Sequence, residues 1–260
     1  MTVYKFAFGD VSACFRSRWQ APVLALAGGF ALMHGVVMAL RIRKAVAMSR
    51  SIEPLQAKLP NATVRLLLVG DSTAVGTGAS TADTSIAGLI ARHHPDVRIV
   101  NRARVGAKFA DIVRQLESLE RFDIILILGG GNDVIRLTSN AALQTSVDKA
   151  LQLASDRANT VVLMPAGNIG NTPFFPQPLS WLMRRRSRKL HAIAKSAAAS
   201  AKAIYVNGYK EKHEDPFVRE AGRLNAADGL HPSDDGYQLW FGALQEQAAL
   251  SQRLTAVVEQ

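Results

Sequence analysis

The chain has little cysteine, few aromatic residues and fewer acidic than basic residues. Its single cysteine, Cys14, leaves no partner for an intrachain disulfide and no thiolate cluster for a zinc site. Aromatic residues make up 7% of the 260 residues, and they are not interleaved with the cations as in nucleic-acid-binding surfaces. We therefore expect no disulfide, no thiolate metal centre and no nucleic-acid partner.

The excess of positive charge is concentrated near the N-terminus. The chain has 31 Lys and Arg residues against 21 Asp and Glu residues, a net charge of +10. Residues 1–60 contain eight of these cations and two of the anions. Such an excess is typical of residues that flank a membrane. The overall composition, 48% hydrophobic and 20% charged, is that of a globular protein.

Residues 21–40 form an apolar run without Asp, Glu, Lys or Arg, long enough to cross a bilayer as a helix. Three cations follow within four residues, and the small residues of a possible cleavage site come only after them, unlike in a signal peptide. We predict a single-pass membrane anchor in a bacterial-type inner membrane, with a buried or interfacial helix as the alternative. The cations after the run favour the cytoplasmic side for the remainder of the chain.

We divide the chain into an N-terminal segment, 1–50, a linker, 51–61, and a domain, 62–260. In the domain, short apolar runs alternate with helical patterns, which predicts an α/β fold with a parallel sheet. The predicted strands cover residues 65–69, 97–101, 124–128, 160–164 and 203–207. A terminal helix is predicted over 233–257, with a serine cap.

The first apolar run ends at Gly70, and an acid and a hydroxyl follow at Asp71 and Ser72. Gly70 allows a sharp turn because it has no Cβ. Ser72 is therefore expected just past the carboxyl end of a parallel strand, where open α/β sheets place their ligands. Taken alone, the pattern equally fits an ordinary strand-to-helix turn with a capping side chain.

Further polar groups follow later in the chain. Gly106 either relieves a turn or presents its N–H to a ligand, and Asn132, which follows three glycines, either caps a helix or offers its amide. Ser72 is a candidate nucleophile, His231 its base, and Asp228 the acid that orients the imidazole. The Asn132 amide and the N–H groups of Ser72 and Gly106 would then bind an oxyanion.

The glycine-rich stretch after Ser72 raises the alternative of a phosphate-binding loop. No Gly-Lys-Ser or Gly-Lys-Thr follows, and the stretch lacks the spacing G-x-G-x-x-G. We therefore expect no bound nucleotide.

A long, proline-rich loop after the fourth predicted strand covers residues 165–180. Long loops in compact domains are commonly functional. Phe174, Phe175 and the nearby Trp181 are predicted to line an acyl or aryl pocket or to contact a membrane, with a cover for the core as the alternative.

Two other polar residues at predicted strand ends, Asp71 and Asn168, are candidates for substrate binding. The basic run at 184–189 is either a solvated helix face or a contact for anionic headgroups.

The order of these motifs resembles the SGNH hydrolase family, also called GDSL esterases and lipases. The motifs are Gly70-Asp71-Ser72, Gly106, Gly130-Gly131-Asn132-Asp133 and Asp228-Gly229-Leu230-His231-Pro232. The resemblance covers about residues 62–255 and implies a three-layer α/β/α sandwich with a five-stranded parallel sheet in flavodoxin-like order. One departure is Thr73, where many relatives carry Leu or Ile, a variable position.

The resemblance also implies a serine mechanism without metal or cofactor. Ser72, His231 and Asp228 would form the triad, and Ser72, Gly106 and Asn132 the oxyanion hole. The implied substrate is a small-molecule or lipid ester: a short-chain acyl ester, an acetylated sugar or a lysophospholipid. An acyltransferase or thioesterase with the same site remains an alternative, as does a membrane-anchored binding protein without activity, and the oligomeric state stays open.

Overall fold

The computed structural model describes residues 29, 33, 35–59, 62–117 and 119–258. The chain forms two compact units, Met1–Leu40 and Arg41–Gln260. Of the predicted membrane span, 21–40, most residues lie outside the described ones. Its described stretch, 35–40, is helical. Among the described helices, none combines the length and the apolar character that a membrane crossing requires.

The second unit is built on a five-stranded parallel sheet with strand order β2-β1-β3-β4-β5. The strands are β1 (Val64–Gly70), β2 (Val97–Asn101), β3 (Phe122–Gly129), β4 (Ala158–Pro165) and β5 (Ile204–Tyr205). This order confirms the flavodoxin-like arrangement that the resemblance implies.

Helices cover both faces of this sheet. The described helices of this unit are α1 (residues 41–50), α2 (Ser72–Val75), α3 (Ile86–His93), α4 (Phe109–Gln115), α5 (Gly131–Ile135), α6 (Asn140–Ser155), α7 (Leu179–Ser200), α8 (Pro216–Arg219), α9 (Ala221–Leu224), α10 (Asp234–Ala248) and α11 (Leu250–Val258), with 3₁₀ turns at Ala82–Thr84 and Ile169–Asn171.

Alternation along the central strands builds two hydrophobic cores, because successive side chains point to opposite faces of a sheet. Leu66 and Leu68 of β1 pack in one core with α2, α3, α10 and α11. Leu67 and Val69 pack in the other with α4, α6 and α7. The result is the expected three-layer α/β/α sandwich, and the strands read as continuous apolar runs because both faces are buried.

Two predicted elements differ in extent. Only Ile204–Tyr205 of the predicted strand 203–207 pairs regularly with β4, and the N–H of Asn207 donates to the side chain of Gln247 at 2.8 Å instead. The prediction of one continuous terminal helix is wrong, because Ala249 adopts a left-handed conformation (φ 47°) between α10 and α11. That break turns Leu250 into the core, where it is fully buried.

The segment after α1, predicted as part of a linker, runs along the outer edge of β2. Ala57 and Ile99 exchange two backbone hydrogen bonds of 3.1 Å. The Gln56 side chain bonds both backbone groups of Asn101, at 2.6 Å to the carbonyl oxygen and 3.0 Å from the N–H. Ile52 packs against the adjacent core. The chain between α1 and the sheet is thus held to the domain.

Candidate active site

Ser72 stands where β1 turns into α2. Gly70 has φ 154°, and a Cβ there would lie 1.8 Å from the Leu128 carbonyl oxygen, so the turn requires glycine. Asp71 caps α2 by accepting hydrogen bonds from the Thr73 N–H at 3.0 Å and the Thr73 hydroxyl at 2.8 Å. Ser72 is therefore presented at the carboxyl edge of the sheet, with 8% of its surface exposed.

The imidazole of His231 lies between Ser72 and Asp228. Its Nε2 is 2.9 Å from Ser72 Oγ, and its Nδ1 is 2.5 Å from Asp228 Oδ2. Since a carboxylate only accepts, Nδ1 carries a proton and donates it to Asp228, which leaves Nε2 as the acceptor for the Ser72 hydroxyl. The structure thus brings together three groups that are up to 159 positions apart in the chain.

The carboxylate of Asp228 is held in its ionised form. Burial acts to raise the pKa of Asp228, but the hydrogen bonds from the His231 side chain and from the Leu230 and His231 N–H groups outweigh it. The net shift of its pKa is downward. An ionised, nearly fully buried carboxylate in this position orients the imidazole and favours its positive charge.

Gly106 and Asn132 lie on the same cavity as Ser72 and His231. Gly106 adopts φ 78°, a left-handed conformation that favours glycine. Its N–H donates to no acceptor among the described residues. The half-buried Asn132 makes no side-chain hydrogen bond within the described part of the chain. Both donors are therefore free to bind an oxygen atom that enters the cavity.

The cavity is small and mostly apolar, with a volume of about 250 Å³. Besides Ser72, Asn132 and His231, its polar lining residues come from other segments as well, among them Asn168 and Asp215. Apolar side chains from six different parts of the unit complete the wall. They include Ile42, Val46, Val105, Ile135, Ile169, Phe174, Phe217 and Trp240.

The two neighbouring phenylalanines predicted for an acyl pocket are placed differently. Phe174 is buried and lines the cavity, and its N–H donates to the Gly229 carbonyl oxygen at 2.9 Å. Phe175 does not line it; it packs against the core that contains α4, α6 and α7. Trp181 is 58% exposed and also lies away from the cavity.

The two predicted polar contacts, Asp71 and Asn168, both border the cavity but are turned toward the protein. The side chain of Asp71 accepts its hydrogen bonds from Thr73 and so caps α2, and burial raises the pKa of its carboxyl group. Asn168 donates to the Lys210 carbonyl oxygen at 3.0 Å, and its Oδ1 is buried without a partner among the described residues.

Residues of α1 also line the cavity, and the sequence reasoning missed them. They are Ile42, Ala45, Val46 and Ser49. Their spacing is that of one helix face and was available in the sequence, but cations between them led to their interpretation as a membrane flank.

Comparison with known proteins decides the family. The model of the GDSL-like lipase/acylhydrolase family matches residues 68–239, which contain Ser72, Gly106, Asn132, Asp228 and His231. The chain belongs to this family. This GDSL-family chain is also 28% identical over 204 residues to the GDSL-like esterase Rv1075c of Mycobacterium tuberculosis. That alignment covers 74% of the chain and 64% of the relative, so the chain spans less than two-thirds of the relative's length.

Solved structures share the fold of this GDSL-family chain. LAE5, an α/β hydrolase enzyme from the metagenome of Lake Arreo in Spain, has a TM-score of 0.56 at 18% identity, over 72% of this chain and 96% of its own. Axe2, an acetylxylan esterase from Geobacillus stearothermophilus, has a TM-score of 0.52 at 20% identity, over 71% and 93%. Identities this low establish a common fold.

Proposed function

We propose that this GDSL-family chain is a serine esterase that hydrolyses carboxylic esters, with Ser72 as nucleophile. The observation that supports it most directly is the hydrogen-bonded row from Ser72 through His231 to Asp228, with contacts of 2.9 and 2.5 Å. A serine hydroxyl is a weak nucleophile until a base removes its proton, and this row supplies the base already oriented.

The proposed reaction begins when Ser72 Oγ attacks the ester carbonyl carbon and its proton passes to His231 Nε2. The carbonyl oxygen becomes an oxyanion, which accepts hydrogen bonds from the Ser72 and Gly106 N–H groups and from the Asn132 amide. The Ser72 N–H is available because the first residues of a helix have no preceding turn to bond. His231 then protonates the leaving alcohol, and water releases the acyl group by the same steps.

The test compares wild type with Ser72→Ala on p-nitrophenyl butyrate. We expect the wild-type chain to hydrolyse the ester and to be labelled covalently by a fluorophosphonate probe, and Ser72→Ala to lose both properties. Asn132→Ala is expected to keep the labelling site but to lower kcat by about 10²–10³-fold, the usual effect of removing one oxyanion donor. Ser196→Ala, at an exposed serine of α7, is the matched control. Labelling that persists in Ser72→Ala, or a wild type without activity on any ester, would overturn the proposal.

We also propose that residues 21–40 anchor this chain in a membrane, with the second unit on the cytoplasmic side. The support is the uncharged apolar run and the cations that follow it. Release of the full chain into the soluble fraction by alkaline carbonate would contradict the anchor, and protection of the second unit from protease added to intact cells is the result expected for its side.

A further inference from the structure

Helix α1 contributes a continuous strip to the cavity that contains Ser72. Ile42, Ala45, Val46 and Ser49 all line this cavity. They are separated by three, one and three positions, so they share one face of the helix. Three of the four are apolar, and Ile42 and Val46 remain about half exposed, at 49% and 45%. The helix thus forms an outer wall with solvent behind it.

This wall is fastened to the domain at both ends. At its start, Arg41 Nη1 donates a hydrogen bond of 2.7 Å to the carbonyl oxygen of Phe174, and Phe174 also lines the cavity. Beyond its end, Ile52 and Leu55 pack against the core, and Ala57 pairs with Ile99 of β2. The position of α1 over the cavity is therefore set by contacts within the second unit.

The wall lies outside the part of the chain that the family shares. The family match begins at residue 68, whereas α1 ends at residue 50. The shared part contains Ser72, Asn132 and His231 and most of the other polar residues that line the cavity, such as Asn168 and Asp215. The segment before the shared part adds a mainly apolar surface through Ile42, Ala45 and Val46. Aliphatic side chains transfer no protons, so this surface can act only by contact with the bound molecule.

We propose that the cavity-lining face of α1 is the wall of the acyl-chain site, and that the substrates are esters of medium-chain aliphatic acids. This inference rests on the proposed esterase function. The cavity of about 250 Å³ has room for on the order of eight groups the size of a water molecule, at about 30 Å³ each. That space accommodates an aliphatic chain of hexanoyl to octanoyl length, and contact with Ile42 and Val46 removes its methylene groups from water.

The decisive comparison uses two alanines on opposite faces of α1. Ala45 lines the cavity, whereas Ala47 is exposed and faces away from it. Ala45→Trp would fill the acyl space, so we expect the ratio of kcat/KM for p-nitrophenyl octanoate to that for p-nitrophenyl acetate to fall by about tenfold or more. Ala47→Trp adds the same side chain to solvent and should keep the wild-type ratio. Equal ratios in both variants would overturn the proposal.

A second matched pair guards against misfolding of Ala45→Trp. Val46 is already half exposed, so Val46→Asp should fold, and its charge would face the acyl chain. We expect Val46→Asp to raise KM for p-nitrophenyl octanoate by about tenfold, with a smaller effect on KM for the acetate. Ala47→Asp should change neither KM. A KM for the octanoate that stays at the wild-type value in Val46→Asp contradicts the wall.

A binding measurement separates failure of the wall from failure of the proposed activity. In the Ser72→Ala background, isothermal titration calorimetry with octanoate ion and with methyl octanoate reports occupancy without turnover. Weaker binding of methyl octanoate in Ala45→Trp than in Ala47→Trp supports the wall even if no ester is hydrolysed. Equal binding overturns the wall even if the wild-type chain is an active esterase.

Discussion

Asp133 Oδ2 accepts a hydrogen bond of 2.9 Å from the N–H of Phe109. This contact joins the two elements that carry the proposed oxyanion donors, because Asn132 precedes Asp133 on α5 and the Gly106 turn leads into Phe109 at the start of α4. Asp133 is 1% exposed, and burial raises the pKa of its carboxyl group. Its side chain therefore ties the start of α4, just after Gly106, to the helix that carries Asn132.

Asp133→Ala is predicted to lower kcat for p-nitrophenyl butyrate by about tenfold with little change in KM. The oxyanion donors would lose their relative placement, and this matters more in the transition state than in the bound substrate. Asp133→Asn should recover part of the loss, since its amide oxygen can still accept the Phe109 N–H. Asp111→Ala is the control, because Asp111 accepts the neighbouring Lys108 N–H from the solvent side. An unchanged kcat in folded Asp133→Ala would contradict the positioning role.

Two glycines are predicted to respond to alanine in opposite ways. At Gly70 a Cβ would lie 1.8 Å from the Leu128 carbonyl oxygen and 2.8 Å from the Ala74 Cβ, and the backbone cannot yield there without separating β1 from β3. We expect Gly70→Ala to lower the free energy of unfolding by more than about 3 kcal/mol. At Gly242, inside α10, no atom would lie within 4 Å of an added Cβ. Gly242→Ala should therefore raise the free energy of unfolding by about 0.5–1 kcal/mol. Urea denaturation measures both, and a similar change in the two variants would contradict the steric explanation.

His191 on α7 is predicted to make the domain less stable in mild acid. Its Nε2 donates to the Ala166 carbonyl oxygen at 2.9 Å, its Nδ1 lies 2.6 Å from Tyr205 Oη, and the ring of Tyr209 packs beside it. Burial lowers the pKa of His191 from 6.5 to about 4. Between these two values the unfolded chain binds a proton that the folded chain does not, so stability falls as the pH falls, by roughly 3 kcal/mol in total.

The measurement is the free energy of unfolding of wild type and His191→Gln at several pH values from 7 to 4. The variant should show a shallower loss across this window, because the titrating group is gone. His213→Gln, at a histidine whose side chain is 80% exposed, is the matched control and should keep the wild-type slope. Parallel curves for wild type and His191→Gln would rule out His191 as the cause.

Where both faces of a strand are buried, the run of apolar residues was sufficient to predict the strand. The run before Gly70 is apolar at nearly every position, because alternate side chains enter the two cores. The pattern was weaker at the edge of the sheet, where β5 is only two residues long. It did not predict the break at Ala249, since alanine favours helix and only the buried place for Leu250 explains the turn.

For the site, the sequence supplied residue types and order, and these led to the family. Ser72, Asn132 and His231 each follow or precede a predicted element, so the shared edge of a parallel sheet was enough to expect them together. Contacts between distant segments were not predictable in the same way. The wall formed by α1 depends on where Ile52 and Ala57 attach to the sheet, and no periodicity within α1 contains that information.

By itself, the sequence determined the α/β class, the parallel sheet and the chemical types of groups at its edge, because strand periodicity, turn glycines and reactive side chains are local properties. Tertiary structure alone decided that Phe174 rather than Phe175 faces the cavity, that Asp133 ties α5 to α4, and that α1 closes the outer side. These outcomes depend on the packing of segments far apart in the chain, where a rotation of one helix exchanges a buried side chain for an exposed one.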